Sequence, residues 1–175
     1  LDLVRRHEGN FRVSYAITGT VLDQFEKFAP DVIGLFQQLA ETGCCEFVGE
    51  TYYHSLSFLY SREEFGEQVE MHSRKIEELF GQRPRVFRNT ELIYSNELAL
   101  ALAGMRNPDG SPRFSGCLCE GTDGLLGYRS PNYVYRPPEI GPALSDDRDR
   151  PFGLLLKNFR LSDDVAFRFS NRAWD

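Results

Sequence analysis

Segments patterned as β-strands alternate with segments patterned as helices along most of this chain, and that alternation constrains the fold more than any other feature. Residues 11–17 alternate apolar and polar side chains and include β-branched and aromatic types, which predicts a strand. Val21, Leu22, Phe25 and Phe28 then recur at helical spacing, and so do Val32, Ile33, Leu35, Phe36 and Leu39. Pro30 divides the two sets. Proline suits a first helical turn and disrupts an interior, so the pattern predicts two helices, or one kinked helix, around residues 29–30. Gly43 closes this stretch, and residues 44–48 read as a second short strand.

Ser61-Arg62-Glu63-Glu64 has the S-x-x-E form of a capping box, opening a helix that runs to Phe80 with Gly81 as its C′ residue. Strands are predicted over 84–89 and 114–119. Between them lies an apolar helix at 96–105, ending in the turn-forming run 107–112. Residues 121–142, rich in Gly, Pro and Tyr, predict a long loop with a short strand at 133–135, and 145–150 a solvated turn. The continuous apolar run 152–156 is patterned like a strand buried on both faces, and 161–164 opens a last helix with Ser162 as N-cap. Together these units predict an α/β fold with a mainly parallel sheet, open or closed into a barrel.

Ligands of such folds bind where the strands end at their C-terminal side. Three glutamates fall there: Glu50, Glu91 and Glu120 each sit just beyond a predicted strand. Tyr52, Tyr53, Tyr94, Tyr128, Tyr133 and Tyr135 lie in or beside the same rim loops. Carboxylates accept hydrogen bonds from hydroxyl groups, aromatic faces pack against C–H groups, and glycoside cleavage needs paired carboxyl groups, so the combination points to sugars. Arg88 and Asn89 place a cation and an amide just before Glu91, and a cation favours the ionised carboxylate that a nucleophile requires. His54 follows the Tyr52-Tyr53 pair, while His7 and His72, in charged surroundings, are expected at the surface.

Other function classes find little support in the sequence. The net charge of −6 and the absence of a basic stripe argue against nucleic acid or an anionic membrane surface as partner. No apolar run approaches the ~18 residues of a membrane span, and the N-terminus lacks a signal-peptide pattern. Cys44-Cys45 and Cys117-Leu118-Cys119 have neither zinc nor redox spacing and read as buried free thiols of a reducing compartment, so a cytoplasmic location is expected. G-x-S-x-G, Walker-type, H-E-x-x-H and dinucleotide fingerprints are all missing, and with His54 the only well-placed histidine, no metal site or cofactor is expected.

Residues 46–56 (EFVGETYYHSL) and 86–94 (VFRNTELIY) resemble two signature blocks of the family-57 glycoside hydrolases of the α-amylase type. Residues 120–123 with their 130–132 continuation, and 161–169, are similar to two further blocks in the same order. The resemblance implies a partial (β/α)7 barrel, an incomplete relative of the TIM barrel, with retaining chemistry on α-glucans or maltooligosaccharides and no metal. It implies Glu91 as the nucleophile, with Glu46 and His54 in the substrate cleft and Glu120 at its rim. Tyr53, Arg88, Asn89 and Tyr94 complete the expected binding residues. Two family features do not appear: a His-Gln-Pro first strand, and an Asp-Tyr-Glu-Thr-like strand that carries the general acid downstream of the LSD segment. Residues 1–175 are therefore expected to be the N-terminal part of one catalytic barrel, truncated at both ends and inactive alone. Glucanotransfer is the close variant of hydrolysis. A noncatalytic glucan-binding barrel, or a metal-dependent carbohydrate deacetylase with an Asp and paired histidines, are the alternatives from other classes.

Overall fold

Helices fill most of the connections between strands in the computed structural model, which describes residues 1–7, 9–138, 152–169 and 171. The expected turn at 145–150 lies outside the described residues. In chain order the elements are α1 (Asp2–Arg6), β1 (Val13–Tyr15), α2 (Gly19–Phe28), α3 (Pro30–Glu41), β2 (Cys45–Phe47), α4 (Arg62–Phe80) and β3 (Val86–Arg88). They continue with α5 (Asn96–Gly104), β4 (Gly116–Cys119), α6 (Asp123–Leu126), β5 (Gly153–Leu156) and α7 (Phe159–Asp163), the last running into a π-helical turn, Asp164–Arg168.

Every pairing between these strands is parallel. β1 lies on β2 with Ser14 opposite Glu46, and β3, β4 and β5 lie side by side with Arg88, Leu118 and Leu155 in one row. Gly49 joins the two groups: its N–H donates to the Val86 carbonyl (2.8 Å) and its own carbonyl accepts from the Arg88 N–H (2.7 Å). The strand order is thus β1-β2-β3-β4-β5. A side chain at Gly49 would not fit, because a Cβ there would stand 2.8 Å from the Phe114 ring.

Alternation along each strand sorts its residues between two faces. One face is packed by helices. Cys45 and Phe47 pack with Leu22, Ile33, Leu39, Ile76 and Phe80, while Phe87, Cys117, Cys119 and Leu154 pack with Phe65, Val69, Leu98 and Leu102. Helix α4 serves both clusters from one stripe, Phe65 and Val69 on one side and Ile76 and Phe80 on the other. The Phe47 and Phe80 rings stack 4.2 Å apart. The opposite face carries Glu46, Arg88, Leu118 and Leu155, and among the described residues no helix covers Leu155, which is 38% exposed. Burial of 152–156 on both faces, as its apolar run suggested, is therefore corrected: among the described residues the helices cover one side only.

Local chemistry explains most element ends. Ser61 accepts from the Glu64 N–H (3.2 Å), and Gly81 closes α4 at φ 66°, a left-handed conformation that glycine adopts without steric cost. Pro30 opens α3 as a separate helix after Ala29, as its position predicted. The last helix begins earlier than Ser162, because Asn158 supplies the cap and accepts from the Leu161 N–H (3.1 Å). Near residues 133–135 there is a single antiparallel bridge, Tyr135 to Leu154, rather than a strand. His72 overturns its surface assignment. It is fully buried, with Nδ1 accepting from the Glu50 N–H (3.3 Å) and Nε2 2.9 Å from the Ile17 carbonyl. Burial disfavours its charged form and lowers its pKa, consistent with a neutral ring donating through Nε2. All four cysteines are free and buried, as expected. Among the described residues no helix is long and apolar enough to cross a membrane.

Candidate active site

The chain leaves β2 and β3 through loops that are tied to each other. Gly49 carries the β2 backbone alongside Phe87, so Glu50 and Thr51 arrive beside the residues that follow Arg88. The Thr90 hydroxyl donates to the Ser55 carbonyl (2.8 Å) and lies 3.1 Å from the Thr51 hydroxyl. Thr51 accepts from the Ser55 N–H (2.9 Å), and the Ser55 hydroxyl donates to Gln68 on α4 (2.7 Å). Thr51, Thr90 and Gln68 are buried, so these bonds form away from bulk water, where a hydrogen-bonded network holds its geometry firmly.

Among the described residues three non-glycine residues have positive φ, and all three belong to these two loops: His54 (φ 54°), Glu91 (φ 56°) and Leu92 (φ 58°). Such conformations cost on the order of 1–3 kcal/mol each and persist where surrounding structure fixes them, most often at functional sites. Around Glu91 the fixing bonds are visible. The Asn89 amide donates to the Ile93 carbonyl (2.9 Å), the Leu92 N–H donates to the Asn89 carbonyl (2.9 Å), and the Glu120 N–H reaches over from the end of β4 to the Leu92 carbonyl (3.0 Å).

The strained turns bring a histidine between two carboxylates. His54 Nε2 lies 3.3 Å from Glu91 Oε1, and its Nδ1 lies 3.9 Å from Glu50 Oε2. Arg88 Nη1 approaches the other oxygen of Glu50 at 3.7 Å. The two carboxylates differ in setting. The Glu91 side chain is 71% exposed, whereas that of Glu50 is 4% exposed. Burial raises the pKa of Glu50, and the charges of Arg88 and His54 oppose that rise without cancelling it.

Of the residues expected from sequence, His54, Arg88 and Glu91 come together here. Glu46 lies on the open face of β2 and accepts from the Ser14 hydroxyl (2.6 Å), apart from this group. Asn89 is buried with its amide held in the turn, so it shapes the loop from below. The Tyr94 hydroxyl donates to Asn96 (2.9 Å) and its ring packs against the core of the β3–β5 half. Tyr53 is exposed, its ring edge-on to Tyr52 at 5.0 Å. Tyr52 itself turns inward, donating to both oxygens of Asp23 (2.8 and 2.9 Å), and burial together with that bond pushes its pKa up to about 12. It is a packing residue, unlike Tyr128 and Tyr133, which are exposed. Glu120 takes part through its backbone. Sequence reasoning noted Glu50 at the rim but did not place it in the site. Among the described residues no group of three or more His, Cys, Asp or Glu side chains is arranged to hold a metal ion.

A parallel β/α array with acidic and histidine side chains on the loops after its strands defines the class: an α/β protein whose candidate site lies at the C-terminal ends of the sheet. Within that class the chain belongs to glycosyl hydrolase family 57, whose family model matches residues 2–175. It is 42% identical, over its whole length, to a Methanocaldococcus jannaschii protein named "Putative alpha-amylase", and it spans 33% of that protein. In fold it is similar to the crystal structure of a 4-alpha-glucanotransferase from Thermococcus litoralis, with a TM-score of 0.72 at 17% identity, covering 95% of this chain and 24% of that one. A polysaccharide deacetylase structure from Mycobacterium smegmatis, itself titled putative, gives a TM-score of 0.57 at 15% identity over 89% of this chain and 43% of that one. The first likeness bears out the partial (β/α)7 barrel, and the second shows that a similar fold occurs beyond the glycosidases.

Proposed function

We propose that the chain is part of a single catalytic barrel that cleaves α-1,4-glucans with retention of configuration, α-amylase-like, with transfer to another sugar as the close variant. The observation that carries this reading is Glu91. A strained backbone conformation, held by neighbouring hydrogen bonds, presents an open carboxylate at the end of a barrel strand and against His54. Family membership and a relative named for amylase activity supply the substrate class.

In the proposed reaction a Glu91 oxygen attacks the anomeric carbon as the bond to the leaving oxygen breaks. A second carboxyl group donates the proton that the leaving oxygen takes up. That same group then removes a proton from water or an acceptor hydroxyl, whose oxygen displaces Glu91 and regenerates the carboxylate. In the family resemblance this second group is an aspartate beyond the LSD segment, so Asp163 and Asp164 are not assigned the role. Arg88, beside Glu50, and the exposed rings of Tyr53, Tyr128 and Tyr133 are available to a sugar, while Glu46 and Glu120 are binding residues on the family resemblance alone.

Two displacements at one carbon restore its configuration, which gives a direct test. The whole protein acting on maltooligosaccharides is expected to release the α-anomer first, with mutarotation following, in time-resolved proton NMR. Initial release of the β-anomer would mean a single displacement by water and would remove the nucleophile assignment.

A further inference from the structure

Glu50 poses a problem that the proposed reaction leaves open. Acidic groups are rarely buried without a partner, and this one is 3% exposed at the end of a barrel strand. Its raised pKa resembles that of a general acid, but an enclosed carboxylate cannot reach a glycosidic oxygen. What it does reach is His54, whose ring is held with one nitrogen toward Glu50 and the other toward Glu91. The backbone supports the same arrangement. The Glu50 N–H is anchored on His72 of α4, and His54 is in the left-handed region four residues later, its own N–H donating to the Thr51 carbonyl (3.2 Å).

We infer that Glu50 is a positioning residue: its buried carboxylate orients the His54 imidazole so that Nε2 faces Glu91. The inference rests on the reading of Glu91 as nucleophile. Charged groups face this pair from each packed loop and strand: Arg88 from β3, at 3.7 Å from Glu50, and Glu91 from the turn after β3, at 3.3 Å from His54. His72 from α4 meets Glu50 only through its backbone amide. A histidine free to turn about χ1 and χ2 would leave Glu91 without a fixed partner. Orientation lost in this way lowers kcat and leaves ground-state binding nearly unchanged.

Stability moves in the opposite direction from activity, which separates this role from a merely structural one. Because Glu50 has a raised pKa in the folded state, the native protein binds its proton more readily than the unfolded chain does. The stabilisation from that proton is present below the unfolded pKa and disappears as pH rises through the folded value. Above the folded value the buried charge is therefore a cost, and Glu50→Gln removes it.

The test uses the whole protein with maltoheptaose. Glu50→Gln is expected to lower kcat about 10- to 100-fold with KM within about twofold and no fall in melting temperature. His54→Gln should give a comparable loss, and the double variant should be no worse than His54→Gln alone within about threefold, since one residue acts through the other. Ring ¹⁵N resonances of His54, assigned by their disappearance in His54→Gln, should move in Glu50→Gln while those of His7 stay in place. If Glu50→Gln fails to fold, Glu50→Asp, which keeps the charge and shortens its reach, takes its place with the same expectations for kcat and the His54 ring. A kcat within twofold of wild type, losses that multiply in the double variant, or an unmoved His54 ring would each overturn the inference. A whole protein that cleaves no α-glucan would defeat the proposed function instead, and the His54 resonances alone would then decide whether Glu50 orients the ring.

Discussion

Glu91→Gln is expected to lower kcat of the whole protein by about a thousandfold or more while leaving its fold and melting temperature intact. A glutamine amide is nearly the same size as the carboxylate but cannot form and release a glycosyl ester. Each tenfold loss corresponds to ~1.4 kcal/mol of barrier, so the substitution should remove at least ~4 kcal/mol of transition-state stabilisation. Its structural cost should be small. The Glu91 side chain is largely in solvent, and the turn that carries it is held by the Asn89 amide, the Leu92 N–H and the Glu120 N–H rather than by the carboxylate. Circular dichroism and thermal melts alongside initial-rate assays would make the comparison. Activity within about tenfold of wild type would mean that some other group attacks the sugar.

Phe87→Ala is expected to be the most damaging of the packing changes. Phe87 is fully buried in the middle of β3, edge-on to Phe65 of α4 at 5.7 Å and to Phe114 at 5.4 Å. Its backbone is also the point where β2 and β3 join. Truncating a buried phenylalanine costs about 3–5 kcal/mol, from lost transfer energy and from the cavity left behind. The strand that suffers leads directly to Arg88 and Glu91, so activity should fall with stability here, unlike at Glu91 itself. Urea unfolding of the two variants would measure this, with Tyr128→Ala, whose side chain is fully exposed, as a control expected to stay within about 0.5 kcal/mol of wild type. A loss below about 1 kcal/mol at Phe87 would contradict the core described here.

Where local chemistry decides structure, the sequence was a good guide. The Ser61 cap, the left-handed Gly81 and the break at Pro30 each follow from one residue's bonding or steric limits, and each appears as expected. The alternation of strand and helix patterns likewise led to the parallel α/β array. Misreadings arose where tertiary contacts choose among local options. Asn158 and Ser162 are both competent caps, and the helix uses the earlier one. The apolar run at 152–156 suggested burial on both sides, but apolar composition does not reveal which face helices cover.

His72 is the instructive error. Its neighbours in sequence are charged, which suggested the surface, yet Phe65, Val69, His72, Ile76 and Phe80 recur at helical spacing and form the buried stripe of α4. Reading the stripe rather than the neighbours would have placed it inside. For the site, Glu91 and His54 were legible because they follow strand ends and match a family block. Burial of Glu50 was not, since no local pattern distinguishes a rim carboxylate in solvent from one enclosed by the loops around it. Nor could the sequence show that His54, Glu91 and Leu92 share positive φ, because Glu and Leu rarely adopt it and histidine, though enriched there, adopts it in a minority of cases.

The most direct measurement of the central claim is to trap the covalent intermediate. A fluorinated maltosyl fluoride, whose electron-poor ring slows both displacements while its leaving group keeps the first one accessible, should accumulate on the whole protein as a glycosyl ester. Peptide mapping by mass spectrometry is expected to find the adduct on Glu91, and Glu91→Gln should acquire none. Labelling of Glu50, Glu120 or any other carboxylate, with Glu91 unmodified, would contradict the account.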